Sequence, residues 1–248
     1  MRNLGPRNPG ADRLRVVLVS PRNPLNIGAA ARAMSNFGFF DLRVVNPYEV
    51  AFREARSAVN AGEVMRSARV STTLAEAVAG CDLVVGTTAL GHRRPEQPLR
   101  RLEQGALLIR RQLPASHVAL LFGSEKFGLS NDDISYCHWL MRIPTRLEHE
   151  SMNLGQAVAV CLYELVRGAG AVKPARRTSA ASEALELIVE RLDTVLRESG
   201  FTNPKTEEST ERKIRQLVRR LNIAPKDATL LHGMLRQILW KLGKNQPE

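Results

Sequence analysis

Aromatic residues make up only 5% of this 248-residue chain. A function built on broad stacking platforms, as in general single-strand binders, is therefore disfavoured. Cysteine is scarce too. Cys81, Cys137 and Cys161 are three in number and form no C-x-x-C pair, which argues against a disulfide framework and for a reducing, cytoplasmic setting. No apolar run approaches the ~20 residues of a membrane span, and the N-terminus lacks the apolar core of a signal peptide. No G-x-G-x-x-G follows a strand, so a Rossmann dinucleotide site is disfavoured. No G-x-S-x-G elbow is present to support a nucleophilic triad. Gly123 to Ser130, G-S-E-K-F-G-L-S, comes close to a nucleotide phosphate loop, but Leu129 stands where the lysine must reach the phosphates. The one Cys/His pair, Cys137-His138, falls on opposite faces of a strand, which reads as a buried thiol beside a surface imidazole, and no metal is expected.

Positive charge is plentiful. The chain holds 36 Lys and Arg against 25 Asp and Glu, a net charge of +11, which favours a polyanionic partner and nucleic acid first. An apolar fraction of 44% is ordinary for a folded protein.

Short apolar runs mark the strands: Arg15–Val19, Leu42–Val45, Asp82–Gly86, Val118–Phe122 and Trp139–Ile143. Each is the length of a buried strand and is followed by a breaker. Helical spacing fills the intervals, with Ile27, Ala30, Ala31 and Met34 on one face, and later Leu154, Val158, Cys161, Leu162 and Leu165 on another. Residues 52–69 also read as helical, and 91–101, with two prolines and four arginines, as an irregular cationic loop. Strands alternating with helices predict an α/β domain with a mostly parallel sheet over 14–167. Residues 1–13 read as a tail and 168–182 as a linker. Beyond lies a small all-helical module over 183–243, too small to stand alone.

Ligands of open α/β sheets bind beyond the C-terminal strand ends. The loops there carry Asn26, Arg32, Thr87, Gly123, Glu125, Gly128, Ile143, Ser151, Asn153 and Leu154. Singly, each has an ordinary explanation: Asn26 and Ser151 as helix caps, the glycines as turn residues, Glu125 as a surface charge. Together they would surround one crevice with backbone donors, a carboxylate and a guanidinium.

Three ordered blocks resemble a known family. Asn26-Ile27-Gly28-Ala29-Ala30-Ala31-Arg32 is similar to N-x-G-x-x-x-R. Phe122-Gly123-Ser124-Glu125-Lys126-Phe127-Gly128-Leu129 is similar to F-G-x-E-x-x-G-L. Ile143-Pro144, followed by Ser151-Met152-Asn153-Leu154-Gly155-Gln156-Ala157, is similar to I-P then S-x-N-x-x-x-A. These are the blocks of SPOUT-class, TrmH-like RNA 2′-O-ribose methyltransferases. The C-terminal helices, with Glu208–Ile214 and Leu230–Leu235, resemble those of the TrmJ-type branch, which acts on nucleotide 32 of the tRNA anticodon loop.

The resemblance implies a trefoil knot over the later strands, bound S-adenosyl-L-methionine, a tRNA substrate and a homodimer. It places Thr87, Gly123, Ile143, Ser151, Asn153 and Leu154 around the cofactor, and Arg32, Asn26, Glu125 and Ser151 nearest the reacting ribose. Some relatives carry Ser-Ala-Arg where this chain has Thr88-Ala89-Leu90, so no role passes to an arginine there. For RNA contacts the expectation falls on Arg93, Arg94 and Arg100 of the basic loop, and on Arg212, Lys213, Arg215 and Arg219 of a helix that is basic throughout that stretch. The alternatives are another ribose in tRNA or ribosomal RNA, or a non-catalytic RNA-binding module on the same fold.

Overall fold

The computed structural model describes residues 10–57, 62–89, 95–167, 179–203 and 205–243. After a 3-10 turn at Ala11–Arg13 the chain enters β1 (Leu14–Val19), then α1 (Pro24–Phe37), β2 (Asp41–Val45), α2 (Glu49–Ser57), α3 (Glu63–Ser67) and β3 (Arg69–Ser71). The middle part holds α4 (Leu74–Val78), β4 (Leu83–Thr87), β5 (Leu99–Arg101) and α5 (Leu102–Gln112). It continues through β6 (Val118–Phe122), α6 (Asn131–Ser135), β7 (Trp139–Arg142) and α7 (Leu154–Val166). Three helices end it: α8 (Ser182–Glu198), α9 (Glu207–Arg220) and α10 (Pro225–Gly243).

The seven strands form one parallel sheet in the order β3-β2-β1-β6-β4-β7-β5. β6 enters between β1 and β4, and β7 between β4 and β5, so both late strands are inserted between earlier ones. The central strands are covered on both faces, which is why they read as unbroken apolar runs. Leu14, Val16 and Leu18 pack with α1, α5 and α7 on one face. Val17 and Val19 pack with α4 and α6 on the other.

Local chemistry sets the helix ends. Thr73 and Glu76 form a capping box that starts α4, and Ser130 and Asp133 form another that starts α6. Gly38, at φ 78°, ends α1 in the left-handed conformation.

Several sequence expectations are revised. Of the helix expected over 52–69, the described residues belong to α2, α3 and the edge strand β3, whose Arg-Val-Ser is too short to show alternation. The irregular loop expected over 91–101 ends in β5, an edge strand on β7. Pro98, just ahead of that strand, supplies a carbonyl to Leu140 N at 2.8 Å and so fits a sheet edge. His138 is buried, not at the surface: its Nδ1 accepts from Val84 N at 3.1 Å and its Nε2 lies 3.3 Å from Ser179 Oγ. The end of the expected linker is packed. Ala180 N donates to Ile223 O at 2.7 Å and Ser182 N to Cys81 O at 2.9 Å, with Ser179, Ala180 and Ser182 buried.

The helical module has its own core of Leu185, Ile188, Val189, Ile214, Val218 and Leu235. It packs on the sheet domain with α8 against α4 and α9 against α6, where Arg215 reaches Asp132 and Ser135 of α6, and two arginines tie α9 to α8. Arg215 meets Glu186 at 2.7 Å and Glu211 at 2.5 Å, and stacks over Tyr136 at 4.5 Å. Arg219 reaches Glu186 Oε2 and Ser182 Oγ, each at 3.2 Å. Both were RNA candidates, and both are buried. The basic stretch of α9 is therefore amphipathic in an unexpected way, with two of its cations turned into the molecule and neutralised there.

Candidate active site

A cavity of about 330 Å³ opens at the C-terminal ends of β4, β6 and β7. Apolar side chains of Phe122, Leu129, Met141, Ile143, Leu154 and Ala157 line part of it. Thr87, Gly123, Glu125 and Ser151 supply polar edges. This is where parallel sheets leave backbone groups free for a ligand.

Each wall has a local cause. Thr87 Oγ1 donates to Leu121 O at 2.8 Å, which ties the end of β4 to β6 and leaves the hydroxyl oxygen as an acceptor. After β6 the chain folds tightly on itself: Gly128 N donates to Ser124 O at 2.8 Å, with Gly128 at φ 67°. A Cβ on Gly123 would come within 2.0 Å of Gly128 C and 2.1 Å of Leu129 N, so only glycine permits that turn. Asn153, not Ser151, caps α7, accepting from Gln156 N at 3.3 Å. Asn23, not Asn26, caps α1, accepting from Leu25 N at 2.9 Å. The caps expected from sequence are thus each displaced by a neighbour, and Asn26 and Ser151 are left for other work.

For Asn26 that work is visible. Its Nδ2 donates to Glu125 Oε1 at 3.0 Å, and its Oδ1 accepts from Asn153 Nδ2 at 2.7 Å. Glu125 also accepts from Arg22 N at 3.0 Å and Asn23 N at 3.1 Å. One continuous hydrogen-bond chain therefore joins residues 99 and 127 positions apart in sequence. Partial burial works to raise the Glu125 pKa, but the donors from Asn26 and from the backbone outweigh it and hold the carboxyl below its ordinary value. A carboxylate so engaged is a brace, poorly suited to take up a proton near neutrality.

The small residues of the first block serve a close helix crossing. A Cβ on Gly155 would lie 2.6 Å from Ala29 Cβ, so α1 and α7 touch nearly backbone to backbone. Arg32 is exposed on α1 and does not line the cavity of its own chain.

Of the RNA candidates, Arg93 and Arg94 lie outside the described residues. Arg100 is half-buried, its guanidinium over the Trp139 ring at 5.6 Å. Arg212 is half-buried and Lys213 exposed. Sequence reasoning passed over Met141, Thr145, Lys126, Phe127 and the Arg142–Glu150 pair, N···O 3.7 Å, whose carboxylate residue lines the cavity. Lys126 and Phe127 sit inside the second block, where its variable positions hid them.

The SpoU rRNA Methylase family model matches residues 13–163. The chain belongs to the SpoU methylase family. It is 35% identical over 234 residues to the tRNA (cytidine/uridine-2′-O-)-methyltransferase TrmJ of Sodalis glossinidius (strain morsitans), with 91% of each chain covered. It is 34% identical over 240 residues to the tRNA (cytidine/uridine/adenosine-2′-O-)-methyltransferase TrmJ of Pseudomonas aeruginosa (strain UCBPP-PA14), covering 91% of this chain and 93% of that one. The crystal structure of TrmJ from Z. mobilis ZM4 superposes with a TM-score of 0.79 at 33% identity, over 91% of this chain and 98% of that one. At 91% of this chain, these likenesses extend beyond the sheet domain into the C-terminal helices. Among the described residues, no helix is long and apolar enough to cross a membrane.

Proposed function

We propose that this protein transfers a methyl group from S-adenosyl-L-methionine to the 2′-hydroxyl of a tRNA ribose, with nucleotide 32 of the anticodon loop as the expected target. The observation that carries the reading is the Glu125–Asn26–Asn153 hydrogen-bond chain. It joins one polar side chain from each of the three blocks, and through Glu125 it reaches the cavity. Full-length similarity to TrmJ methyltransferases, C-terminal helices included, supports tRNA over other RNA.

The cavity suits the cofactor. About 330 Å³ lies in the range of small-molecule sites, and the apolar side chains in its mixed lining can flank a flat ring. The first turn of α7 adds N–H groups with no partner inside the helix. Of the residues the resemblance places around the cofactor, Thr87, Gly123, Ile143, Ser151 and Leu154 line the cavity and would hold the group there, whereas Asn153 does not line it and would act through the cap of α7. S-adenosyl-L-methionine supplies a methyl already activated on a sulfonium, so the protein need provide mainly alignment and an exit for the proton.

Overall, the methyl carbon loses its bond to sulfur and gains one to the ribose oxygen, while the hydroxyl proton departs. The Arg32 guanidinium offers a planar fork of N–H donors and a positive charge. It therefore grips a phosphate beside the target ribose and stabilises the charge developing on the oxygen. The proton leaves to phosphate or water. Glu125 holds Asn26 and the loop before α1 in place and does not itself act on the proton. The position of Arg32, outside its own chain's cavity, fits a homodimer in which the guanidinium of one protomer serves the cavity of the other.

Methyl transfer to unfractionated tRNA, followed by mapping of the modified nucleotide, tests the reading. A 2′-O-methyl at nucleotide 32 is expected. A methylated base, or transfer to ribosomal RNA in place of tRNA, would overturn it.

A further inference from the structure

Phe127 is 61% exposed at the rim of the cavity, in a chain with few aromatic residues. An apolar ring on a loop at a cavity mouth gains nothing from water. Nor is it placed by chance, for its loop is held at three points. Phe127 N donates to Ser124 Oγ at 3.3 Å. Ser124 and Gly128 pair across the turn. Glu125, two residues earlier, is bound by Asn26 and by the backbone of residues 22 and 23. The Lys126 ammonium lies 5.0 Å from the centre of the Phe127 ring. An exposed ring on a loop whose backbone is held in place, with a cation over one side of it, has the composition that single-stranded RNA uses, a face for a base and a charge for a phosphate.

We propose that Phe127 and Lys126 form the seat of a nucleobase at or next to the methylated ribose, the base stacking on the ring and its phosphate meeting the ammonium. This rests on the reading that the protein methylates an RNA ribose. It assigns part of the substrate recognition to the tip of the second block. Anticodon-loop nucleotides suit such a seat because their bases can be turned out of the helical stack. A protein partner would use the same ring as an apolar plug. The cation beside it and the location at the cavity mouth favour RNA.

The test compares Phe127→Ala, Phe127→Leu and Phe127→Tyr in the full-length protein, with wild-type methyl transfer to tRNA measured first. Failure of the wild type to methylate tRNA ribose would sink the functional reading. With transfer established, Phe127→Ala should raise the KM for tRNA about tenfold, a larger change than any in the affinity for S-adenosyl-L-methionine measured by calorimetry. Phe127→Leu, apolar but without a ring face, should stay at the high KM, and Phe127→Tyr should restore the wild-type value. The proposal is overturned by an unchanged KM in Phe127→Ala or by wild-type behaviour of Phe127→Leu. It is also overturned by a change in sedimenting mass, which would place the ring in a contact between copies.

Discussion

At the scale of single residues, the site separates groups that act from groups that hold. Glu125 accepts three hydrogen bonds, two of them from main-chain N–H groups of the loop before α1. Because its folded-state pKa lies below the unfolded value, the stability it contributes is complete above about pH 4.5 and is lost as pH falls through the folded value. Glu125→Gln should lower stability by about 1 kcal/mol at neutral pH and flatten the acid end of the stability curve, read by denaturant unfolding at a series of pH values. Wild-type steepness in that region would mean that the brace is idle. Arg32 has the opposite profile, exposed and outside the local cavity. Arg32→Lys keeps the charge but loses the planar fork, and should cost on the order of a hundredfold in kcat with little change in cofactor affinity. Near-full activity of Arg32→Lys would rule out the bidentate role. The roles of Asn23 and Asn153 as caps were not legible in the sequence. Several Asn and Ser residues cluster at each helix start, and their side-chain chemistry is nearly equivalent.

At the scale of elements, the buried strands were plain because continuous apolar runs of five or six residues have few other uses. The edge strands β3 and β5 were not. Each is three residues long, and their membership depends on a neighbouring strand supplying half the hydrogen bonds. Helix α9 is the sharpest revision. A stretch holding Arg212, Lys213, Arg215, Arg219 and Arg220 without an acid looked like an RNA-facing surface, yet Arg215 and Arg219 turn inward to Glu186, thirty or so residues earlier on α8. Arg219→Ala would leave Glu186 with one partner fewer and a space in a buried contact. Stability should fall by about 3 kcal/mol, while the salt dependence of tRNA binding keeps its slope. A reduced slope would restore Arg219 to the RNA-binding set. His138 belongs to the same junction. Burial, helped by the nearby charge of Arg219, pushes its pKa down to about 3. The unfolded chain takes up a proton near pH 6.5 that the folded chain refuses, so stability declines as pH falls from about 6.5 toward 3. The part between pH 6.5 and 5 lies above the Glu125 window, and His138→Gln should flatten it in the same unfolding series.

At the scale of the whole molecule, the net charge of +11 predicts long-range attraction to tRNA. With six or more phosphates engaged, affinity should fall about a thousandfold between 50 and 200 mM salt, as a binding titration would show; a flat response would mean that charge does not drive binding. The sequence by itself determined the class of the protein. The order and spacing of three loop blocks, the length of the apolar runs and the excess of cations are all local properties of the chain, and they pointed to the sheet, to the cavity end of it and to an RNA partner. Only the tertiary structure decided which polar residues are spent on structure. Glu125 became a brace, Asn153 the partner of Asn26 and Arg219 a buried strut once groups 33 to 127 residues away closed on them. The physical reason is that a side chain's role depends on what neutralises or desolvates it. Those groups come from other elements, and no local pattern records their arrival.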